Sequence, residues 1–247
     1  MTREVRVLPL RGLPELEEGD DLVRLLVEAA QGVGGLEPGD VVVVAQKAVS
    51  KVEGRVVRLA EVEPSARALE LAGGEDPRKV EVVLRESRRV VRSRPPLLIV
   101  ETAHGFVCAS AGVDSSNAKG EGTVVLLPRD PDASARRLRE GIRERTGVEV
   151  GVIVSDSFGR PWRRGTTDVA LGVAGLRPVL DLRGRRDAAG YELHATEIAV
   201  ADEIASAAEL VMGKTEGVPA AIVRGVDVAG EGSGVDLLLP PERDLFR

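Results

Sequence analysis

Aromatic residues are nearly absent from this 247-residue chain, which holds one Trp, one Tyr and three Phe, 2% of the total. Its core must therefore be filled by Val, Leu, Ile and Ala. Cysteine is scarcer still. The single thiol, Cys108, excludes an intrachain disulfide framework and a Cys-rich metal site. Its flanks, "GFVCASAG", read as a strand end, which makes it a small buried hydrophobe rather than a nucleophile. The two histidines, His104 and His194, stand far apart, neither has a partner at zinc spacing, and there is no H-E-x-x-H. No nucleophile-elbow G-x-S-x-G occurs, and no GxGxxG follows a strand. No apolar run approaches the length that spans a bilayer. The opening "MTREVRVLPL" lacks the apolar stretch of a signal peptide, so a cytoplasmic protein without membrane partners is expected. Basic charge is not in excess either. With 34 Lys and Arg against 40 Asp and Glu, the net charge is −6, which argues against a general nucleic-acid binder.

What is present is ordinary in bulk: 43% hydrophobic and 30% charged residues, enough for one large or two small domains. There is no internal repeat, low-complexity segment or obvious linker, so composition marks no domain boundary. "EVRVLPL" alternates as a strand. A helix is expected near Leu22–Gln31, capped by Asp20 or Asp21. Four consecutive valines in "VVVVAQKAVSKVEGR" predict a strand buried on both faces, with Lys47 and Lys51 just past it. Pro64–Leu71 reads as a helix ending at Gly73–Gly74, and Pro77–Val91 as a second. "LLIVET", "GFVCASAG" and "GTVVLLP" are strands. Asp132–Thr146 is a helix with Gly147 behind it, "VEVGVIVSD" a strand ending at Asp156, Thr196–Met212 a helix capped by Gly213, and "AAIVRGV" the last strand. Strands and helices alternate through much of this, which places the chain in the α/β or intermixed α+β class.

Polar chemistry collects at a few strand ends. "GVIVSDS" sets Asp156 and Ser157 after an apolar strand, where ligand sites of open α/β sheets lie. A carboxylate there suits a hard cation, although an N-cap or turn aspartate is the commoner use. "SAGVDSSNAKGEGT" spaces Asp114 and Asn117 three apart, again as oxygen donors or as an Asx turn. "GKT" at 213–215 invites a phosphate-loop reading. The required first glycine would fall at Ala208, and a helix, not a strand, leads into the motif, so that reading is rejected. Lys47, Lys51, Arg160, Arg163 and Arg164 beside these carboxylates suggest a polyphosphate. The residues alone thus point to an enzyme that uses a nucleoside triphosphate at a metal–phosphate site.

Taken together, "RGLPELEEGDDL", "VVVVAQKAVSKVEGR", "ETAHGFVCASAGVDSSN", "SDSFGRPWRRGTTDVALGVAGL", "DLRGRRDAAGYEL" and "TEIAVADEIASAAELVMGKTEGVPAAIVRG" resemble the coenzyme F420-0:L-glutamate ligase family, the γ-glutamyl ligases, over nearly the whole chain. One departure is Ser110, where Asn is common in that family. The resemblance implies an α+β fold distinct from P-loop and ATP-grasp enzymes, in an intertwined homodimer. It implies GTP, a divalent metal (Mn²⁺ or Mg²⁺) and potassium, and the joining of L-glutamate to F420-0 with further γ-linked glutamates. It assigns Asp114, Asp156 and Ser157 to the metals, with Glu216 as an additional ligand. GTP falls to Asn117, to the turn Arg11, Gly12, Leu13 and Pro14, to Gln46, Lys47 and Lys51, and to the segment Met212, Gly213, Lys214, Thr215, Glu216, Gly217, Val218 and Pro219. Asp114 and Asp156 are the expected catalytic pair. Arg160, Arg163 and Arg164 are candidate anion contacts, with Trp162 as scaffold. Some relatives carry a C-terminal nitroreductase-like domain, and this chain resembles the ligase part. A metal-dependent amide ligase acting on another acid and a non-catalytic nucleotide-binding homologue are the alternative readings.

Overall fold

The computed structural model describes residues 4–116, 120 and 122–245. In chain order the elements are β1 (Arg6–Pro9), α1 (Leu22–Gln31), β2 (Val41–Ala45), α2 (Gln46–Val52), β3 (Val56–Arg58), α3 (Ala66–Leu71), α4 (Pro77–Arg85), β4 (Ser87–Arg94), β5 (Leu97–Thr102), β6 (Val107–Ala109), β7 (Thr123–Val125), α5 (Pro131–Thr146), β8 (Gly151–Arg160), β9 (Arg163–Ala174), β10 (Leu180–Asp181), β11 (Glu197–Ile198), α6 (Val200–Met212) and β12 (Ala220–Arg224). Among the described residues the fold is a mixed α/β arrangement of several sheets with no barrel.

A five-stranded sheet in the order β1-β12-β2-β8-β9 forms the frame. β2 and β8 pair in parallel, and every other neighbour is antiparallel. Val41–Val44 are all buried because the sheet is covered on both faces. Val42, Val44, Val152 and Val154 pack with α1 and α5, while Val41, Val43 and Ile153 pack against α6. Local chemistry sets the helix ends. The Asp21 side chain accepts from Arg24 N at the start of α1, and Asp130 accepts from Ala133 N ahead of Pro131 at the start of α5. Gly147 ends α5 in the left-handed region.

A smaller lobe lies between β2 and β8 in the sequence. It joins the β4-β5-β6 sheet, the β3-β7 pair, α3 and α4 around a separate core that includes Leu71, Val83, Val100 and Leu126. A two-stranded β10-β11 ribbon precedes α6.

Four expectations are corrected or completed. The stretch just past β2, which the sequence left without an element, is helix α2 over residues 46–52, which places Lys47 and Lys51 one helical turn apart. The segment 77–91 splits: α4 stops at Arg85, and Ser87–Arg94 is β4, paired to β5 from Ser87 to Arg94. The 196–212 helix begins at Val200 because Glu197 and Ile198 pair with β10. The strand through Asp156 does not end there. It runs to Arg160, turns at Pro161–Trp162 and returns as β9, so the segment 152–176 is a long hairpin.

That hairpin carries a bulge. Leu171 is the extra residue between the pairs Val154–Gly172 and Ser155–Ala170. Asp132 of α5 accepts from Val173 N at 2.8 Å and from Gly234 N at 2.7 Å, so the irregular backbone stays paired. Gly172 is required there by contact, since a Cβ would stand 2.1 Å from the Pro131 carbonyl oxygen.

Candidate functional site

Because β1 and β2 run parallel to β8, with β12 opposed to them, the ends of β1, β2 and β8 and the start of β12 share one rim. A cleft of about 340 Å³ opens there. Leu13 and Pro14 line it from the turn after β1, and Gln46, Lys47 and Lys51 from α2. Asp156 and Ser157 enter from β8, and Met212, Gly213, Lys214, Thr215, Gly217, Val218 and Pro219 from the segment between α6 and β12. Fourteen of the sequence-derived residues thus converge on one cavity. Arg11 and Gly12 flank it as exposed residues, and Glu216 is not among the lining residues; its carboxylate accepts from the Thr215 hydroxyl at 3.1 Å. Asn117 lies outside the described residues. Arg160, Arg163 and Arg164 are exposed at the hairpin tip. Trp162 is 83% exposed with φ +57°, so it is not scaffold packed beneath the site.

Asp114, on the smaller lobe, is not among the residues that line the cleft, but it pairs with Lys47, which is. Three successive residues with positive φ, Ser110, Ala111 and Gly112, turn the chain into Asp114, a local strain of the kind that accumulates at functional sites. Its backbone then bridges to Val125 in both directions. Its carboxylate receives Lys47 Nζ at 2.6 Å, Ser116 N at 2.7 Å and Ser116 Oγ at 3.0 Å. Burial works against its charge, but these donors outweigh burial and hold the carboxyl below its ordinary range.

Asp156 has the opposite environment. Burial first, then the nearby Asp168 charge, push its carboxyl up to about 7 against the Ser157 backbone N–H and the ammoniums of Lys214 and Lys47. Asp168 is missing from the sequence-derived set. It lies opposite Ser157 in the hairpin, and its oxygens accept from Ser155 Oγ at 2.8 Å and from Ser157 Oγ at 2.5 Å. Lys214 Nζ donates to Ser157 Oγ. Gly213, with φ +60°, releases the chain from α6 into the segment that carries this lysine. Glu15 also lines the cleft and pairs with Lys51 at 2.5 Å.

The donor set is that of a hard cation and a polyphosphate. Asp156 is a partly buried carboxyl beside a second one, and Ser157 offers a hydroxyl oxygen. Among the described residues no three His, Cys, Asp or Glu side chains gather into a metal-holding group. A cation held here would complete its shell with water and phosphate oxygens, as Mg²⁺ commonly does. Gln46, 1% exposed, is fixed through Oε1 by Ser50 at 3.0 Å, and its Nε2 has no protein partner. A buried donor without a partner in a cleft wall is a contact waiting for a ligand oxygen or for water. Cys108, though close enough to feel Asp156, is a buried thiol pushed up to about 12 by its burial, and is no nucleophile.

Sequence comparison gives the site its family. The profile described as F420-0:gamma-glutamyl ligase matches residues 12–225. A coenzyme F420:L-glutamate ligase of Methanothermobacter thermautotrophicus is 45% identical over 98% of this chain and 99% of its own length. The proteins of the same name from Methanopyrus kandleri and Methanocaldococcus jannaschii are 47% and 44% identical, over 98% and 100% of each chain. A match of this extent to ligases, over the stretch that builds the cleft, shows that this chain belongs to the F420-0:gamma-glutamyl ligase family.

Proposed function

We propose that the chain is a GTP-dependent enzyme that adds L-glutamate to coenzyme F420-0 by an amide bond, and then adds further γ-linked glutamates. The observation that carries this reading is the single cleft in which Lys47, Lys51 and Lys214 face Asp156 and Ser157, in a chain of this family. A carboxylate is a poor acyl donor. Transfer of the GTP γ-phosphoryl group to the F420-0 carboxylate gives an acyl phosphate, with GDP as leaving group. The glutamate amine then displaces phosphate. Such a transfer needs positioning and charge neutralisation rather than a protein nucleophile.

Asp156 and Ser157, with Asp114 beside Lys47, are the residues that would hold Mn²⁺ or Mg²⁺; the cation, when bound, would neutralise phosphate charge and align the γ-phosphoryl group. Glu216, between cleft-lining neighbours, is the additional ligand in this reading. Lys47, Lys51 and Lys214 present ammonium donors to phosphate oxygens. Gln46 offers its Nε2 donor from the wall, and Leu13 and Pro14 an apolar edge to the nucleotide. Arg11, Gly12 and Asn117 complete the nucleotide contacts in this reading, potassium the ion requirement, and Arg160, Arg163 and Arg164 the contacts to anionic F420-0. The homodimer belongs to the same proposal and is read by light scattering.

The deciding experiment incubates the protein with F420-0, Mn²⁺ and labelled L-glutamate, with GTP or ATP. Glutamylated product with stoichiometric GDP is expected. Absence of product, or product formed without nucleotide cleavage, overturns the proposal.

A further inference from the structure

Asp168 has no part in the chemistry above, yet it is the most completely engaged carboxylate of the cleft. It is 4% exposed, and its two oxygens accept from different hydroxyls, Ser155 on Oδ2 and Ser157 on Oδ1. A serine hydroxyl has one proton. Ser157 directs it to Asp168, so only the lone pairs of Ser157 Oγ remain for the cleft. Lys214 Nζ donates into that oxygen. The chain Lys214 to Ser157 to Asp168 therefore runs in one direction, terminated by an acceptor.

The backbone of Asp168 is held as well. Ser206 Oγ of α6 donates to the Asp168 carbonyl oxygen at 2.8 Å, and Ser206 and Thr167 share a hydrogen bond of 2.8 Å. Helix α6 thus fixes β9 at the residue that orients Ser157, and the same helix leads through Gly213 to Lys214. An Asn at 168 would keep the shape but offer one oxygen and an NH₂ group. One of the two serines would then have to accept rather than donate, and its proton would turn elsewhere.

We propose that Asp168 is a positioning residue: it fixes the Ser157 hydroxyl as an acceptor facing the cleft, and through it seats Lys214 and the 213–217 segment. The catalytic consequence rests on the proposed function, in which Ser157 holds the cation and Lys214 meets phosphate. The ordering of Ser157 and Lys214 is independent of any substrate. Groups that orient a ligand from behind typically cost about 10–100-fold in metal affinity when removed.

The test reads Lys214 directly. Protein free of metal and nucleotide is treated with limiting acetic anhydride, and acetylation at Lys214 is followed by peptide mass spectrometry. Asp168→Asn and Ser157→Ala are each expected to raise the Lys214 labelling rate several-fold over native protein. Ser155→Ala, which leaves the Ser157 bond in place, is expected to leave it at the native rate. Binding of Mn²⁺ alone, by electron paramagnetic resonance, is expected to weaken about 10-fold in Asp168→Asn. Native labelling rates in folded Asp168→Asn or Ser157→Ala, or a rate in Ser155→Ala as high as in Ser157→Ala, overturn the proposal. If Asp168→Asn does not fold, Ser157→Ala decides. Failure of the functional reading shows separately, as native protein that does not couple GTP cleavage to glutamylation while this labelling pattern persists.

Discussion

Lys47 Nζ stands 2.6 Å from Asp114 Oδ2, and this ion pair ties the central sheet's first cleft helix to the smaller lobe. It joins residues of different cores, since α2 packs with α1 and α5 whereas Val113, beside Asp114, packs with α3 and α4. The same ammonium also feels Asp156. Lys47 therefore acts on both Asp114 and Asp156, the two carboxylates proposed to hold the metal.

Lys47→Met is expected to weaken GTP binding. A hydrogen bond to a charged group contributes about 1.5–3 kcal/mol, roughly 10- to 100-fold in KM for GTP. The pair is partly exposed at Asp114, so its loss should lower folding stability by only about 1 kcal/mol. Steady-state kinetics with GTP varied, beside urea denaturation, separate the two effects. An unchanged KM would remove Lys47 from the nucleotide site.

Asp156→Asn is expected to abolish GTP-dependent glutamylation and to raise the thermal midpoint of the metal-free protein. The carboxylate is partly desolvated beside Asp168, and a neutral amide of the same shape relieves both costs. Activity assays and metal-free thermal melts read the two outcomes. Retained activity, or a midpoint lowered by the substitution, contradicts the assignment.

Glu81 supplies an acid-sensitive contact in the smaller lobe. Hydrogen bonds from Ser65 first, and then from Arg85, lower its carboxyl from 4.5 to about 2. The folded value lies below the unfolded one, so this contribution is fully present above the unfolded value. It is lost as pH falls from about 4.5 towards 2. With solvent screening at a partly exposed pair, it amounts to about 1 kcal/mol. Glu81→Gln should flatten the stability–pH curve in that window and leave the slope near neutrality unchanged, as followed by urea midpoints at stepped pH.

Gly172→Ala should destabilise the fold by about 1–3 kcal/mol through overpacking, because the new methyl would meet the Pro131 carbonyl at 2.1 Å. The N-terminus of α5 would have to retreat from the bulge it caps through Asp132. A thermal midpoint equal to that of the native protein would mean the contact is softer than its geometry.

Much of this structure was legible from the sequence, and the misses have physical causes. Helix α1 is legible near Leu22–Gln31 because an aspartate cap precedes a regular apolar stripe, and the structure decides for Asp21 over Asp20 as the cap. β2 was clear because valine on both faces admits one reading. The 77–91 segment failed because "VEVVLRESRRVV" satisfies both the helical and the alternating period, and pairing with β5 decides for strand after Ser87. β9 was missed since "RRGTTDV" is polar throughout its exposed half. With it went Asp168, which has no local signal. Folding the chain back at Pro161–Trp162 would have set Asp168 opposite Ser157, which is the observed register. The expectation that Trp162 is scaffold failed for the same reason, since a hairpin puts that residue at the tip rather than beneath the site. The cleft residues came from pattern resemblance, and strand direction explains why they meet.

The shared rim also has a thermodynamic meaning. Its five contributions come from residues 13–16, 45–51, 155–157, 168 and 209–219, so the cleft is complete only when β1, β2, β8, β9 and β12 are all in place. No subglobal fragment can carry it. A nucleotide held there acts as a stitch across the whole sheet, and its binding free energy appears as resistance to global unfolding, growing with the logarithm of its concentration, rather than as the quieting of one loop.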